Sequence, residues 1–171
     1  MLVLGLDPGL AITGYGLIAD APSGDVTLVE CGAILTPAGA PLAERLLAID
    51  RQLGALVEKH KPEAVAIEEL FFARNVTTAL LVGQARGVAV LAAARAGLPV
   101  YEYKPMEVKQ AVTGYGRAPK AQVQQMVRML LNLDRTPTPD DAADAVAVAV
   151  CHLYGIRLAR LLAAEGASTD G

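Results

Sequence analysis

Three short apolar runs separated by turn residues open the chain, and the later apolar runs alternate with stretches of helical character. Residues 1–7 (MLVLGLD) are halted by Pro8-Gly9, which predicts a buried strand ending in a turn. Residues 13–19 (TGYGLIA) and 27–35 (TLVECGAIL) read as two further strands, and Pro22-Ser23-Gly24-Asp25 between them predicts a hairpin. Over 41–60, Leu42, Leu46, Leu47, Ile49, Leu53 and Leu56 interleave with charges as in an amphipathic helix. Its expected stop is Lys61-Pro62, because the residue before Pro is pushed away from helical angles. Residues 64–67 (AVAI) read as a buried strand. An Ala-rich helix is expected over 76–96, with Gly83 and Gly87 allowing close backbone approach and Gly97 as its stop. A strand over 100–103 precedes helices over 106–112 and 120–131, the second with Pro119 in its first turn. A final helix starts near Pro139-Asp140 and runs towards Leu162. This β-β-β-α-β-α-β-α-α-α order predicts an α/β chain, a mixed five-stranded sheet flanked by helices. One domain over 1–164 is expected, with the small polar residues 165–171 (EGASTDG) as a disordered tail.

Composition narrows the class. The chain is 53% hydrophobic and 19% charged, which excludes wholesale disorder. Charge-free stretches such as 75–85 and 145–156 fall short of the roughly 18–20 apolar residues of a membrane span. The N-terminus opens directly into an apolar strand, so no export signal is expected and the cytoplasm is the expected location. Cys31 and Cys151 match no zinc spacing and read as free thiols of a reducing compartment. The net charge of −3 conceals a pattern: residues 1–73 carry −6, residues 74–135 carry +6, and residues 136–171 carry −3. A cationic face beside a carboxylate-rich site is therefore expected.

Four acids stand where acids are costly unless used. Asp7 and Glu68 each close an apolar strand, and buried carboxylates need a partner or a metal. Asp141 and Asp144, three apart, share one helix face among small apolar residues. Glu69 points to the opposite side from Glu68, and Asp140 reads as a helix N-terminal acid. An oxygen-only cluster of formal charge −4 is unstable by like-charge repulsion. Hard divalent cations relieve it, and such donors select Mg²⁺ or Mn²⁺ over zinc. Two such ions could clamp a phosphodiester.

The blocks LGLDPGLAITGYG, AIEELFFARN, LVGQARGVAVLAA, VKQAVTGYGRAPKAQVQQMV and DDAADAVAVAVCH closely resemble the RuvC Holliday junction resolvases, in family order over roughly residues 1–155. The resemblance implies an RNase H-like fold and a homodimer that makes paired symmetric nicks across a four-way DNA junction with Mg²⁺. It also implies work alongside the RuvA and RuvB branch-migration proteins. The family's metal ligands fall on Asp7, Glu68, Asp141 and Asp144, the same quartet. Lys109 and Lys120 match the two functional lysines near the scissile phosphate, and Lys120 lies in a helix first turn that itself favours phosphate. Phe71 matches the aromatic set against junction bases, and Phe72 is a second candidate for that role. Arg74, Asn75, Arg86, Arg117 and Arg128 are candidate backbone contacts. His152 could approach the metal face or rest as a satisfied helix histidine, and His60 reads as an exposed helix end. The expected chemistry is in-line attack of water on phosphorus, leaving a 5′-phosphate and a 3′-hydroxyl.

Rival readings remain. The Asp-x-Gly turn after a strand also opens actin-like ATPases, but this chain is too short for their two domains. RuvX-like RNA-processing nucleases share the fold group but lack the AIEELFF block. A non-catalytic junction-binding module would gain nothing from four carboxylates beside phosphates.

Overall fold

The computed structural model describes residues 1–21, 24–69 and 76–168. Strands β1 (Leu2–Asp7), β2 (Ile12–Asp20) and β3 (Val26–Leu35) form an antiparallel meander. Helix α1 (Leu42–His60) leads to β4 (Ala64–Glu68), which pairs parallel to β1, and α2 (Val76–Arg95) leads to β5 (Val100–Tyr103), parallel to β4. The sheet order is β3-β2-β1-β4-β5, the mixed five-stranded sheet expected. Helices α3 (Pro105–Thr113), α4 (Lys120–Leu130) and α5 (Asp140–Ser168) complete the chain.

Local chemistry sets most of these ends. α1 stops where Lys61 turns left-handed (φ 50°) and donates its N–H to the Val57 carbonyl, just before Pro62. α3 opens with the Lys104 N–H held by Glu107 Oε2 at 2.7 Å, and closes on Gly114 at φ 76°. Pro119 stands before the first turn of α4 rather than inside it. α5 continues past Leu162 to Ser168, so helical backbone enters the stretch expected as a tail.

Side-chain alternation divides the sheet into two apolar faces. Leu4, Leu6, Leu17, Val65 and Ile67 pack with Ile49 and Leu53 of α1 and Ala85 and Ala89 of α2. The opposite face carries Val3, Ile18 and Ala66, covered by Val108 of α3, Val123 and Val127 of α4, and Val146 and Val150 of α5. α2 and α5 are each long and apolar enough to cross a membrane by length and composition alone, although charges interrupt them. Here α2 buries Ala85, Ala89, Ala92 and Ala93, and α5 buries an unbroken run from Val146 to Leu153.

α5 approaches the sheet closely at three strand glycines. A Cβ on Gly5 would collide with the Ala145 carbonyl oxygen, and one on Gly14 with the Asp141 carbonyl. Gly16 lies under Val146 in the same way. α5 answers with Ala142, Ala143, Ala145 and Ala149, all fully buried. Backbone thus rests on backbone, an approach only glycine in the strands permits. Gly87, by contrast, has open space around it and is no site of close approach.

Gly14→Ala is expected to push α5 off the sheet and cost about 1–3 kcal/mol, the usual penalty of overpacking. That corresponds to a fall in Tm of roughly 3–10 °C for a chain of this size. Gly54→Ala, on α1 with nothing near it, should raise Tm by about 1–3 °C through helix propensity alone. Thermal melts by circular dichroism check both.

Candidate active site

Asp7 ends β1 and Glu68 ends β4. The pairing of Leu6 with Ile67 sets these two acids side by side on parallel strands, and strand alternation turns both towards α5. Asp7 also lies opposite Gly14, the glycine on which the Asp141 carbonyl rests. The same contact that seats α5 therefore brings its first turns, with Asp141 and Asp144, over the ends of β1 and β4. All four acids are half-buried.

The electrostatics record this convergence. Burial first, then the charges of Glu68, Asp144 and Asp141, push the Asp7 carboxyl up to about 7, against the opposing pull of Lys120. Burial and Asp144 likewise raise Glu68, with Lys109 and Lys120 opposing. Lys120 Nζ lies 2.8 Å from Asp144 and 3.4 Å from Asp140. Burial works against its charge, but its bonds to Asp144 and Asp140 hold its pKa above the ordinary lysine value.

A cavity of about 270 Å³ opens here, lined by Glu68, Asp144, Lys109 and Lys120 over a floor that includes Val108 and Val123. Asp7 and Asp141 lie outside its lining. Among the described residues, no three His, Cys, Asp or Glu side chains already stand as a closed metal cage. The donor chemistry nonetheless fits a hard divalent cation: four carboxylates from three elements repel one another, and an ammonium group already leans on one of them. Open coordination positions filled by water are normal for Mg²⁺.

Other candidates separate. Arg117 is exposed on the turn between α3 and α4. Arg128 reaches the Asp134 carbonyl at the far end of α4. Arg86 is not free for a backbone contact: it pairs with Glu102 of β5 at 2.5 Å and is largely buried. His60 is not an exposed helix end, since its ring is mostly buried and its Nε2 meets Glu30 at 3.0 Å. His152 is fully buried in the core, its Nδ1 2.6 Å from the Tyr103 hydroxyl and its ring against Tyr101, and burial lowers its pKa. Phe71, Phe72, Arg74 and Asn75 lie outside the described residues.

Sequence reasoning missed two contributors. Gly14 and Gly16, spaced by two in a strand, present one bare face, and the run of alanines in α5 is its complement; together they signal a backbone seat. Asp140, in sequence a helix-start acid beside the ligand pair, is also the second anchor of Lys120.

Because the folded pKa of Asp7 lies above its ordinary value of 3.8, its ionisation weakens the fold. Stability tied to this group is full below about pH 4 and is lost as pH rises through 7. In EDTA, Asp7→Asn should therefore gain on the parent protein as pH rises from 4 to 8, by on the order of 2–4 kcal/mol. Urea titrations at the two pH values check this.

Comparison with known proteins places this arrangement. Residues 3–152 match the family model described as Crossover junction endodeoxyribonuclease RuvC. The protein of that name from Heliobacterium modesticaldum is 60% identical over 156 residues, 91% of this chain and 96% of that one. The Thermus thermophilus RuvC structure superposes with a TM-score of 0.87 at 40% identity, covering 93% of this chain and 97% of that one. A second structure, T. thermophilus RuvC in complex with Holliday junction substrate, gives 0.85 at 37% identity, covering 92% and 96%. By a family match that spans residues 3–152, relatives of this identity and coverage, and a shared fold, this chain belongs to the RuvC crossover junction endodeoxyribonucleases.

Proposed function

We propose that this chain is a Holliday junction resolvase, an endonuclease making paired symmetric nicks in four-way DNA junctions during homologous recombination and repair. The observation that carries the reading is the meeting of Asp7 and Glu68 from parallel strand ends with Asp141 and Asp144 from α5, beside two lysines. Those four carboxylates hold the metal, Mg²⁺ in preference with Mn²⁺ as the alternative, at two ions per site. When bound, the cations stabilise charge on the attacking and leaving oxygens of the phosphodiester.

The chain's own groups do the rest. Lys109 and Lys120 line the cavity together with Glu68 and Asp144 and bind the scissile phosphate as point charges. The apolar floor beneath them limits water and strengthens each charge interaction. Phe71 or Phe72 stacks on an unpaired base, and Arg74, Asn75 and Arg117 steady the DNA backbone. Hydrolysis leaves a 5′-phosphate and a 3′-hydroxyl.

A four-way junction offers two equivalent strands, which a two-fold dimer matches with two sites. The outward face of α2 supports such pairing: Val76, Leu80 and Leu91 are 72%, 63% and 48% exposed on a helix with few charges. Residues 1–164 act as one nuclease domain in the cytoplasm, with 165–171 outside it and RuvA and RuvB as working partners.

The test is cleavage of a labelled four-way junction beside a linear duplex of identical sequence, in Mg²⁺, Mn²⁺ and EDTA. Metal-dependent symmetric nicks confined to the junction are expected. Asp7→Asn should slow cleavage about a thousandfold or more, the several kcal/mol such a site supplies, while a gel shift still shows binding. Intact junctions in both metals would reject the reading. Leu80→Arg should sediment as a monomer, and an unchanged mass would reject the α2 interface.

A further inference from the structure

The two lysine-bearing helices of the site are joined by a turn of which the proposed function uses Arg117 alone. α3 carries Lys109 and α4 begins at Lys120; between them run Gly114, Tyr115, Gly116 and Arg117. The turn is fastened at every step. Thr113 Oγ1 donates to the Lys109 carbonyl at 2.8 Å and accepts the Tyr115 N–H at 3.1 Å. Gln110 Nε2 donates to the Gly114 carbonyl at 2.8 Å, and the Ala118 N–H donates to the Tyr115 carbonyl at 3.1 Å. Gly116 lies against Met106 so closely that a Cβ there would stand 2.6 Å from the Met106 Cγ.

What this fastened turn presents is apolar. Tyr115 is 56% exposed and Met106 60% exposed, and with Arg117 they line a shallow groove of about 540 Å³ on the outer side of α3. Exposed aromatic and methionine side chains in one groove are a liability unless something covers them. The surroundings select the occupant. From Lys104 to Arg128 the chain has five cations and one acid; that acid, Glu107, lines the groove with one carboxylate oxygen accepting the Lys104 N–H, and the cations outnumber it. Such a surface suits a polyanion that also offers flat apolar faces, and a nucleic acid strand has both. The groove shares α3 with the catalytic cavity, so a strand seated on Lys109 and Lys120 continues onto it.

We propose that Tyr115 is a stacking platform for a nucleotide flanking the cleaved bond, with Met106 beside its ring and Arg117 on the adjoining phosphate. This deepens the resolvase reading and rests on it. Because the turn is held by its own hydrogen bonds before DNA arrives, little conformational freedom is lost on binding.

The experiment uses the full chain in Ca²⁺ and synthetic four-way junctions carrying 2-aminopurine at single positions on either side of the cleavage site. The parent protein should change the fluorescence at one flanking position. Tyr115→Ala should abolish that change and weaken junction binding about tenfold, with an unaltered melting temperature, and Tyr115→Phe should restore both. An alanine variant with parental affinity and fluorescence pattern overturns the proposal, and parental cleavage in Mg²⁺ then leaves the resolvase reading standing. A phenylalanine variant as weak as alanine also overturns it, since the hydroxyl and not the ring face would be the contact. Parental affinity with an altered sedimentation mass would assign the groove to a protein contact. A parent protein that neither binds nor cuts the junction removes the resolvase reading and this one together.

Discussion

The seat of α5 on the glycines of β1 and β2 is the contact on which everything else depends. Helices usually stand off a sheet by the thickness of their side chains, about 10 Å between layers. Here Gly5, Gly14 and Gly16 remove that thickness on one side, and the alanines of α5 remove it on the other. Only at this separation do carboxylates as short as aspartate, on a strand end and on a helix, enter one another's field. The raised pKa of Asp7 is the electrostatic record of the same geometry. Repulsion among these groups weakens the fold, and the apolar packing of α5 between the sheet and α3 and α4 offsets it.

Division of labour between the two sheet faces follows from this. The face towards α1 and α2 is built of leucine and isoleucine, Leu4, Leu6, Leu17, Ile49, Leu53 and Ile67, and has no part in the cavity. The face towards α5 is built of smaller residues and carries the site at one end. His152 belongs to this second face, but its complete burial and its bond to Tyr103 make it a core group rather than a ligand. Arg86 and His60 are likewise spent on Glu102 and Glu30, ties between elements that hold the layers in place.

Most of the fold and the acid quartet could be read before any coordinates, for a physical reason. An apolar run that ends in Asp7 or Glu68 is a local signal, and so is the spacing of Asp141 and Asp144 on a helix among alanines. What escaped was set by partners distant in the chain. Arg86 looked like a free cation because Glu102 meets it only after β5 forms, and His60 looked exposed because Glu30 lies on a strand thirty residues earlier. Gly87 and Gly14 are indistinguishable as letters, yet one faces open space and the other a carbonyl. The course of α5 beyond Leu162 was missed for a different reason: its last turns carry small and polar residues whose pattern alone resembles a tail.

The pair that Lys120 makes with Asp144, with Asp140 close by, also bears on the order of events in the life of the chain. A cluster of bare carboxylates would have to wait for metal before it could close, as small zinc domains do. This one carries its own counter-ion on a flexible stem, anchored from a neighbouring helix. The cluster is therefore partly neutralised by the chain itself, and a cation that takes Asp144 must displace this ammonium group. A lysine so displaced has Asp140 within reach as a second resting place, which keeps it at the rim of the cavity instead of releasing it to solvent.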